Sequence, residues 1–353
     1  MLQTPTSSAA KAEFTDFESF LRRDGFHLNI GPEEAREQMR EVFSTTTWDR
    51  FQELMEIRKE RPYTSEELYT VPETLQEAAL LFSPMSPVVS ACGQQLWRTL
   101  KEHLSPGIKV ADMGCGIGSW TRWMAEHHPN VGFVGFDGHH GLLNIASEAN
   151  QLNNCQFVEC EYGDLSKAYG QFDVVASLLG IDFEPGPFNP NPEELMADTA
   201  TEYAITRFYQ RTFASAAASW RKVLQPKGCV MAVLRLSCFE AWYGCLAGAM
   251  AEGLRFNPQA SSCIAVGKQR FPLLVFEATD SIEMLDMDSL LTWWAERTGA
   301  SADAQVLLDA AALWRYRSLK DKKILEETEE QYEDGHVMRK ETGIAEGVGY
   351  VYE

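Results

Sequence analysis

Positive charge is scarce in this chain: 31 lysines and arginines stand against 51 aspartates and glutamates, a formal net charge of −20 over 353 residues. Binding to nucleic-acid phosphates relies on neutralising cations, so DNA, RNA and anionic membrane surfaces are disfavoured partners. The densest basic cluster, Lys320 to Lys323, runs straight into Glu326-Glu327 and Glu329-Glu330. That pattern predicts a solvated helix face laced with i,i+4 pairs. No apolar run approaches the roughly 18 residues of a membrane-spanning helix. The first residues, Met1 to Lys11, lack the basic start and apolar centre of an export signal, and a cytoplasmic location is expected. The eight cysteines include no C-x-x-C pair, which argues against a zinc knuckle and fits free thiols in a reducing compartment. No cluster of metal ligands stands out, so no metal is expected. With 45% hydrophobic residues the chain can bury a core domain and substantial additions.

The most informative passage that is present runs from Asp112 to Gly118, Asp-Met-Gly-Cys-Gly-Ile-Gly, directly after the apolar Lys109-Val110-Ala111. Gly114, Gly116 and Gly118 let a strand end in a sharp turn that lies against a ligand, while Ser119 to His128 starts a helix. A dinucleotide fingerprint needs G-x-G-x-x-G, whereas here the third glycine comes one residue early and a carboxylate sits two before the first. A carboxylate there suits a cationic amine better than a pyrophosphate. Taken alone, the loop also fits a plain strand-to-helix connection. Cys115, inside the loop, reads as a small filler beside a ligand.

Further passages follow in the order of an alternating α/β unit. Val131 to Phe136 reads as a second buried strand ending at Asp137, a position that can accept both ribose hydroxyls or cap the next helix, Gly138 to Gln151. Cys155 to Cys160 makes a third strand, leading to Tyr162-Gly163-Asp164, and Phe172 to Leu179 a fourth. A helix from about Asn191 to Leu224, a turn at Pro226-Lys227-Gly228, a strand from Cys229 to Leu234 and a hairpin of Ser261 to Val266 with Phe271 to Ala278 complete the pattern.

This ordered set, over residues 106 to 278, resembles the class I S-adenosylmethionine-dependent methyltransferases, whose first motif is D/E-x-G-x-G-x-G. The resemblance implies an α/β fold: a Rossmann-like, seven-stranded, mostly parallel sheet with an antiparallel terminal hairpin. Helical additions would flank it, with 1–105 as a lid or substrate region, 106–279 as the cofactor-binding core and 280–353 as a mainly helical extension. It implies S-adenosyl-L-methionine as cofactor and S-adenosyl-L-homocysteine as product. The cofactor-binding residues implied are Asp112, Gly114, Cys115, Gly116 and Gly118, Asp137 for the ribose, Gly163 and Asp164 near the adenine, and Ser177 and Leu178 at the end of the fourth strand. Lys227 departs from the family's usual glycine, but Gly228 can still supply the turn.

Seven histidines occur, at 27, 103, 127, 128, 139, 140 and 336, so the histidine base of many small-molecule O-methyltransferases has no obvious counterpart. His139 and His140 fit a helix cap or an adenosine flank. Asp182 and Glu184, in the loop after the fourth strand, are the candidate catalytic residues, able to orient a cationic amine or act as base. The D/N-P-P-Y/F motif of amide and nucleobase N-methylation is missing, and a small-molecule acceptor of secondary metabolism is expected. Within 1–105, Trp48, Phe51, Leu54 and Met55 share one helical face and Val89, Cys92, Leu96 and Leu100 another, with Ser86-Pro87 as cap and first turn and breaks at Gly31-Pro32, Arg61-Pro62 and Ser83-Pro84. Tyr69, Phe82 and Met85 are candidate walls of the acceptor pocket. The C-terminal helices, with Trp293 and Trp294, are expected to pack on the core or on a second copy as a homodimer. Two rival readings remain at this level: an NAD-linked oxidoreductase on a Rossmann fold, and a cofactor-binding scaffold without activity.

Overall fold

The computed structural model describes residues 17–60, 64–181, 201–236, 239–267, 269–280 and 287–298, and the backbone of three strands at 323–331, 337–345 and 348–352. The central layer is an eight-stranded sheet. Its strands are β1 (Lys109–Met113), β2 (Gly132–Asp137), β3 (Cys155–Glu159), β4 (Phe172–Leu178), β5 (Leu224–Val233), β6 (Leu254–Phe256), β7 (Ser262–Val266) and β8 (Gln269–Ala278). They lie in the order β3-β2-β1-β4-β5-β8-β6, with β7 also paired to β8. The first five are parallel and β8 runs antiparallel to β5. The expected hairpin of β7 and β8 is present; β6 is an additional short strand that pairs with the far end of β8. Its three residues, Leu254-Arg255-Phe256, are too few to carry a readable period.

The strands are apolar nearly throughout because helices cover both faces of the sheet. Val110, Phe133, Val174 and Met231 face one core, while Ala111, Val134, Val175 and Val230 face the other. Strand alternation therefore assigns Asp112 to the same face as Val110.

Before the sheet come a helical segment at 17–23 (α1), then α2 (Pro32–Val42), α3 (Thr45–Glu60), α4 (Ser65–Tyr69), α5 (Leu75–Phe82) and α6 (Ser86–Leu100). Phe51 and Leu54 are buried, with Trp48 and Met55 packed beside them, as the periodicity predicts. Pro32 opens α2 after Gly31, and Arg61-Pro62 lies outside the described residues. Ser86 is not a cap: the 3-10 turn Ser83–Met85 runs directly into α6, and the Ser86 hydroxyl instead accepts from the Asn29 N–H. Glu77, buried, accepts from the N–H groups of Ser44, Glu73 and Thr74 and so fastens α5 to the α2–α3 turn.

The crossover helices are α7 (Ser119–His127) and α8 (His140–Ala149), followed by α9 (Thr201–Val223) and α10 (Phe239–Ala251). A last helix, α11 (Met287–Thr298), packs on the core: Trp293 stacks on Trp242 at 5.3 Å between ring centroids. Beyond α11 the described residues are strands, in contrast to the mainly helical extension expected. Residues 323–331, 337–345 and 348–352 form an antiparallel three-stranded sheet, β9 to β11, and Lys323 opens a strand in place of the charged helix expected around it. The register sets Arg339 opposite Glu329, Glu341 opposite Glu327 and Ile344 opposite Lys323.

Candidate functional site

Carboxyl ends of β1, β2 and β4 converge where a parallel sheet reverses its strand order, the usual position of a ligand crevice. At that point lies a cavity of about 220 Å³. Its floor is Asp112, Gly114, Cys115, Gly116 and Asp137; Leu178 to Ile181 form one side, and Phe17, Leu21, Phe26, Tyr69, Phe82, Met85 and Val89 form a roof. The three wall residues expected from the N-terminal region are all in that roof.

The glycines divide by role. Gly114, Gly116 and Gly118 all have positive φ, at 72°, 54° and 70°. A Cβ on Gly114 would lie 2.4 Å from the Gly180 Cα, so this glycine lets the β1 and β4 loops touch. A Cβ on Gly118 would strike Phe157, and the residue is the left-handed cap of α7, away from the cavity. A Cβ on Gly116 would meet nothing within 4 Å, which leaves its backbone open to a ligand.

Asp112 is 2% exposed. Thr121 donates to its Oδ2, whereas Oδ1 is buried without a partner among the described residues. Burial pushes its carboxyl from 3.8 up to about 7, the Thr121 hydrogen bond opposes the rise, and Asp137 adds to it. An orphaned carboxylate oxygen of this kind is set to be satisfied by a cation. The Asp137 carboxyl is also raised by burial, while two N–H donors hold it down: Gly116 to Oδ2 at 2.8 Å and His139 to Oδ1 at 2.9 Å. Asp137 thus shapes the glycine loop that it faces. It is not the cap of α8; that is His139, whose Nδ1 accepts from Leu142 N. The Cys115 thiol is pushed well up by burial and by the neighbouring carboxylates, so it is no nucleophile.

The other expected residues stand elsewhere. The Ser177 hydroxyl is fully buried and donates to Met113 O, stitching β4 to β1 outside the cavity wall. Asp164 is exposed and neither it nor Gly163 lines the cavity. Asp182 and Glu184 lie outside the described residues. Several residues were not singled out in the sequence. Glu161 brings its carboxylate against the Gly138 backbone, where a Cβ would lie 2.3 Å from Oε1, and Asp137 helps to raise its pKa. The Tyr162 hydroxyl donates to Gly180 O and so fixes the loop after β4. Leu179 holds φ of 57°, a left-handed strain carried by a non-glycine at the cavity wall. Arg122 in α7 donates to both carboxylate oxygens of Asp24, and Ser119 also donates to Asp24, which pins the roof segment beside the glycine loop. A glycine loop with an acidic lead, a second-strand aspartate and this sheet order define a Rossmann-like α/β fold with a ligand crevice at the strand-order reversal.

Comparison with known proteins agrees. Residues 110–188 match the family model of the methyltransferase domain. That stretch, from β1 through the end of β4, is thus similar to the methyltransferase domain of S-adenosylmethionine-dependent enzymes. The chain is similar to trans-aconitate 2-methyltransferase of Deinococcus radiodurans, 34% identical over 80 residues, which cover 23% of this chain and 30% of that protein. It is also similar to phosphoethanolamine N-methyltransferase 1 of Arabidopsis thaliana, 36% identical over 94 residues, 25% of this chain and 19% of that one. The matches therefore span less than a third of these relatives' length. Among solved structures, magnesium protoporphyrin IX methyltransferase from Synechocystis, with bound S-adenosylmethionine, aligns over 69% of this chain and 97% of its own at 13% identity and a TM-score of 0.38. S-adenosylmethionine is the cofactor of this class, and the cavity floor fits it: the unpartnered Asp112 oxygen faces a need for a cation, and the open side of Gly116 admits a ligand against the backbone.

Proposed function

We propose that the protein transfers a methyl group from S-adenosylmethionine to a small-molecule acceptor. The observation that carries the reading is the cavity itself, in which the glycine loop and a largely apolar roof from the N-terminal helices share one small space. When bound, the cofactor supplies an electrophilic sulfonium methyl. Asp112 takes the ammonium of its methionine portion, and Asp137 has lone pairs left for ribose hydroxyls beside the two N–H groups it already accepts. The roof excludes water and holds the acceptor in line with the methyl, and such positioning within about 3 Å supplies much of the acceleration. The relatives named for trans-aconitate and phosphoethanolamine support a small-molecule acceptor. Asp182 and Glu184 follow the cavity wall in sequence and remain the proposed base or orienting pair.

Titration calorimetry with S-adenosylhomocysteine and with NAD tests the cofactor, and methyl-labelled cofactor incubated with a metabolite extract tests the reaction. Binding of the first ligand, none of NAD, and one small labelled product are expected. NAD binding with no S-adenosylhomocysteine binding would overturn the reading.

A further inference from the structure

Among the described residues that line the cavity, one is a cation. Arg235 follows the end of β5, beside the loop that leaves β4, because Leu178 pairs with Val233 in the sheet. Its side chain is exposed to the cavity side and has no carboxylate partner among the described residues, although acidic residues outnumber basic ones in the chain. Arginines of the roof segment and α7 are paired: Arg122 with Asp24 and Arg23 with Glu126. Arg235 also stands within electrostatic reach of Cys92, in the middle of α6, whose thiol it pulls down against burial. It is thereby placed between β5 and the α6 segment that supplies the roof residue Val89. The carboxylates of the floor, Asp112 and Asp137, lie at the glycine loop and are committed there to Thr121, to backbone N–H groups and, in the proposed function, to the cofactor.

Exposed at the rim of a mostly apolar cavity, this guanidinium is free to take an anion, and its planar fork matches a carboxylate in a bidentate pair. We infer that Arg235 is the anchor for an acceptor that carries a carboxylate. The inference rests on the methyltransferase reading and gives that site its substrate class. The anchored carboxylate is not the methylated atom, since oxygens held by a guanidinium are poor nucleophiles. The product accordingly keeps its negative charge.

The test uses the full chain, methyl-labelled S-adenosylmethionine and a metabolite extract, with wild type, Arg235→Gln and Arg235→Lys side by side. Labelled product is expected to be retained on an anion exchanger at neutral pH and to lose retention after amidation of its carboxyl groups with a carbodiimide and an amine. Retention that survives amidation identifies a phosphate or sulfate ester and overturns the carboxylate assignment. With the purified acceptor, Arg235→Gln is expected to raise KM about tenfold to a hundredfold with kcat changed far less, and Arg235→Lys to recover part of the loss. Affinity for S-adenosylhomocysteine and Tm should match wild type, because the side chain holds no structural partner. An unretained product, or an unchanged KM in Arg235→Gln, overturns the inference while leaving the methyltransferase reading intact. Absence of label from wild-type reactions removes that reading, and the inference with it.

Discussion

At the scale of single residues, Asp112 shows how a site is stored in a fold. Its folded carboxyl, at about 7, retains a proton through a range in which the unfolded chain, near 3.8, has released it. Folding stability therefore falls as pH climbs through that window, and the cost is fully present above it. Asp112→Asn keeps an acceptor for Thr121 and removes the charge. The variant is expected to melt a few degrees above wild type at about pH 8 and to lose that advantage near about pH 4, read by calorimetry at both values. It should bind S-adenosylhomocysteine about tenfold to a hundredfold more weakly, because the ammonium loses its charged partner. Much of this was legible in the sequence: an acidic residue two before the first glycine points to a cationic group, and Asp137 follows at the next strand's end. Ser177 was not, since a serine on the buried side of β4 looks in sequence like one facing a ligand. Arg235 gave no signal either, because an arginine after an apolar strand has no pattern to mark it.

At the scale of elements, two contacts decide whether the site is held together. The first is the ion pair of Asp24 with Arg122, both under 9% exposed, between the segment after α1 and helix α7. Asp24→Ala would leave a buried guanidinium uncompensated and is expected to destabilise the fold by about 3–5 kcal/mol in urea unfolding. Asp24→Asn, which preserves hydrogen-bond acceptance, should lose less. The second is the crossing of α9 and α10, where a Cβ on Gly244 would lie 2.5 Å from Thr206 O and one on Gly248 2.5 Å from Gln210 O. Two glycines four residues apart let the helix backbones touch. Gly244→Val is expected to cost about 1–3 kcal/mol through overpacking, measured by thermal and urea unfolding. Both contacts escape a reading of local periodicity. Asp24 and Arg122 are 98 residues apart, and nothing in either segment names the other. The alternating strands and helices of the core were readable because each carries its own apolar pattern and turn chemistry. The charged run after Lys320 was misread because i,i+4 spacing of charges is also compatible with strand pairing, and only the partner strand β10 decides between them.

For the molecule as a whole, the additions around the parallel sheet do as much as the sheet to define the cavity. The sheet supplies the glycine loop and the carboxylates, and the N-terminal helices supply the apolar wall and closure. Fold class could be read from the ordered strand ends, whereas the joining of roof to floor depends on contacts between segments far apart in the chain. That closure has a consequence for timing. Phe17, Leu21 and Phe26 stand over the floor, and the Asp24–Arg122 pair fastens their segment beside the loop. Were the spent cofactor to leave past this segment, its lifting, and not the bond being made, would set the pace of repeated turnover. With the acceptor in hand, kcat is expected to fall in proportion to solvent viscosity under added sucrose, while a single turnover stays unchanged. The protein would then work as a clock whose escapement is a helix, wound each cycle by the entry of a fresh methyl donor.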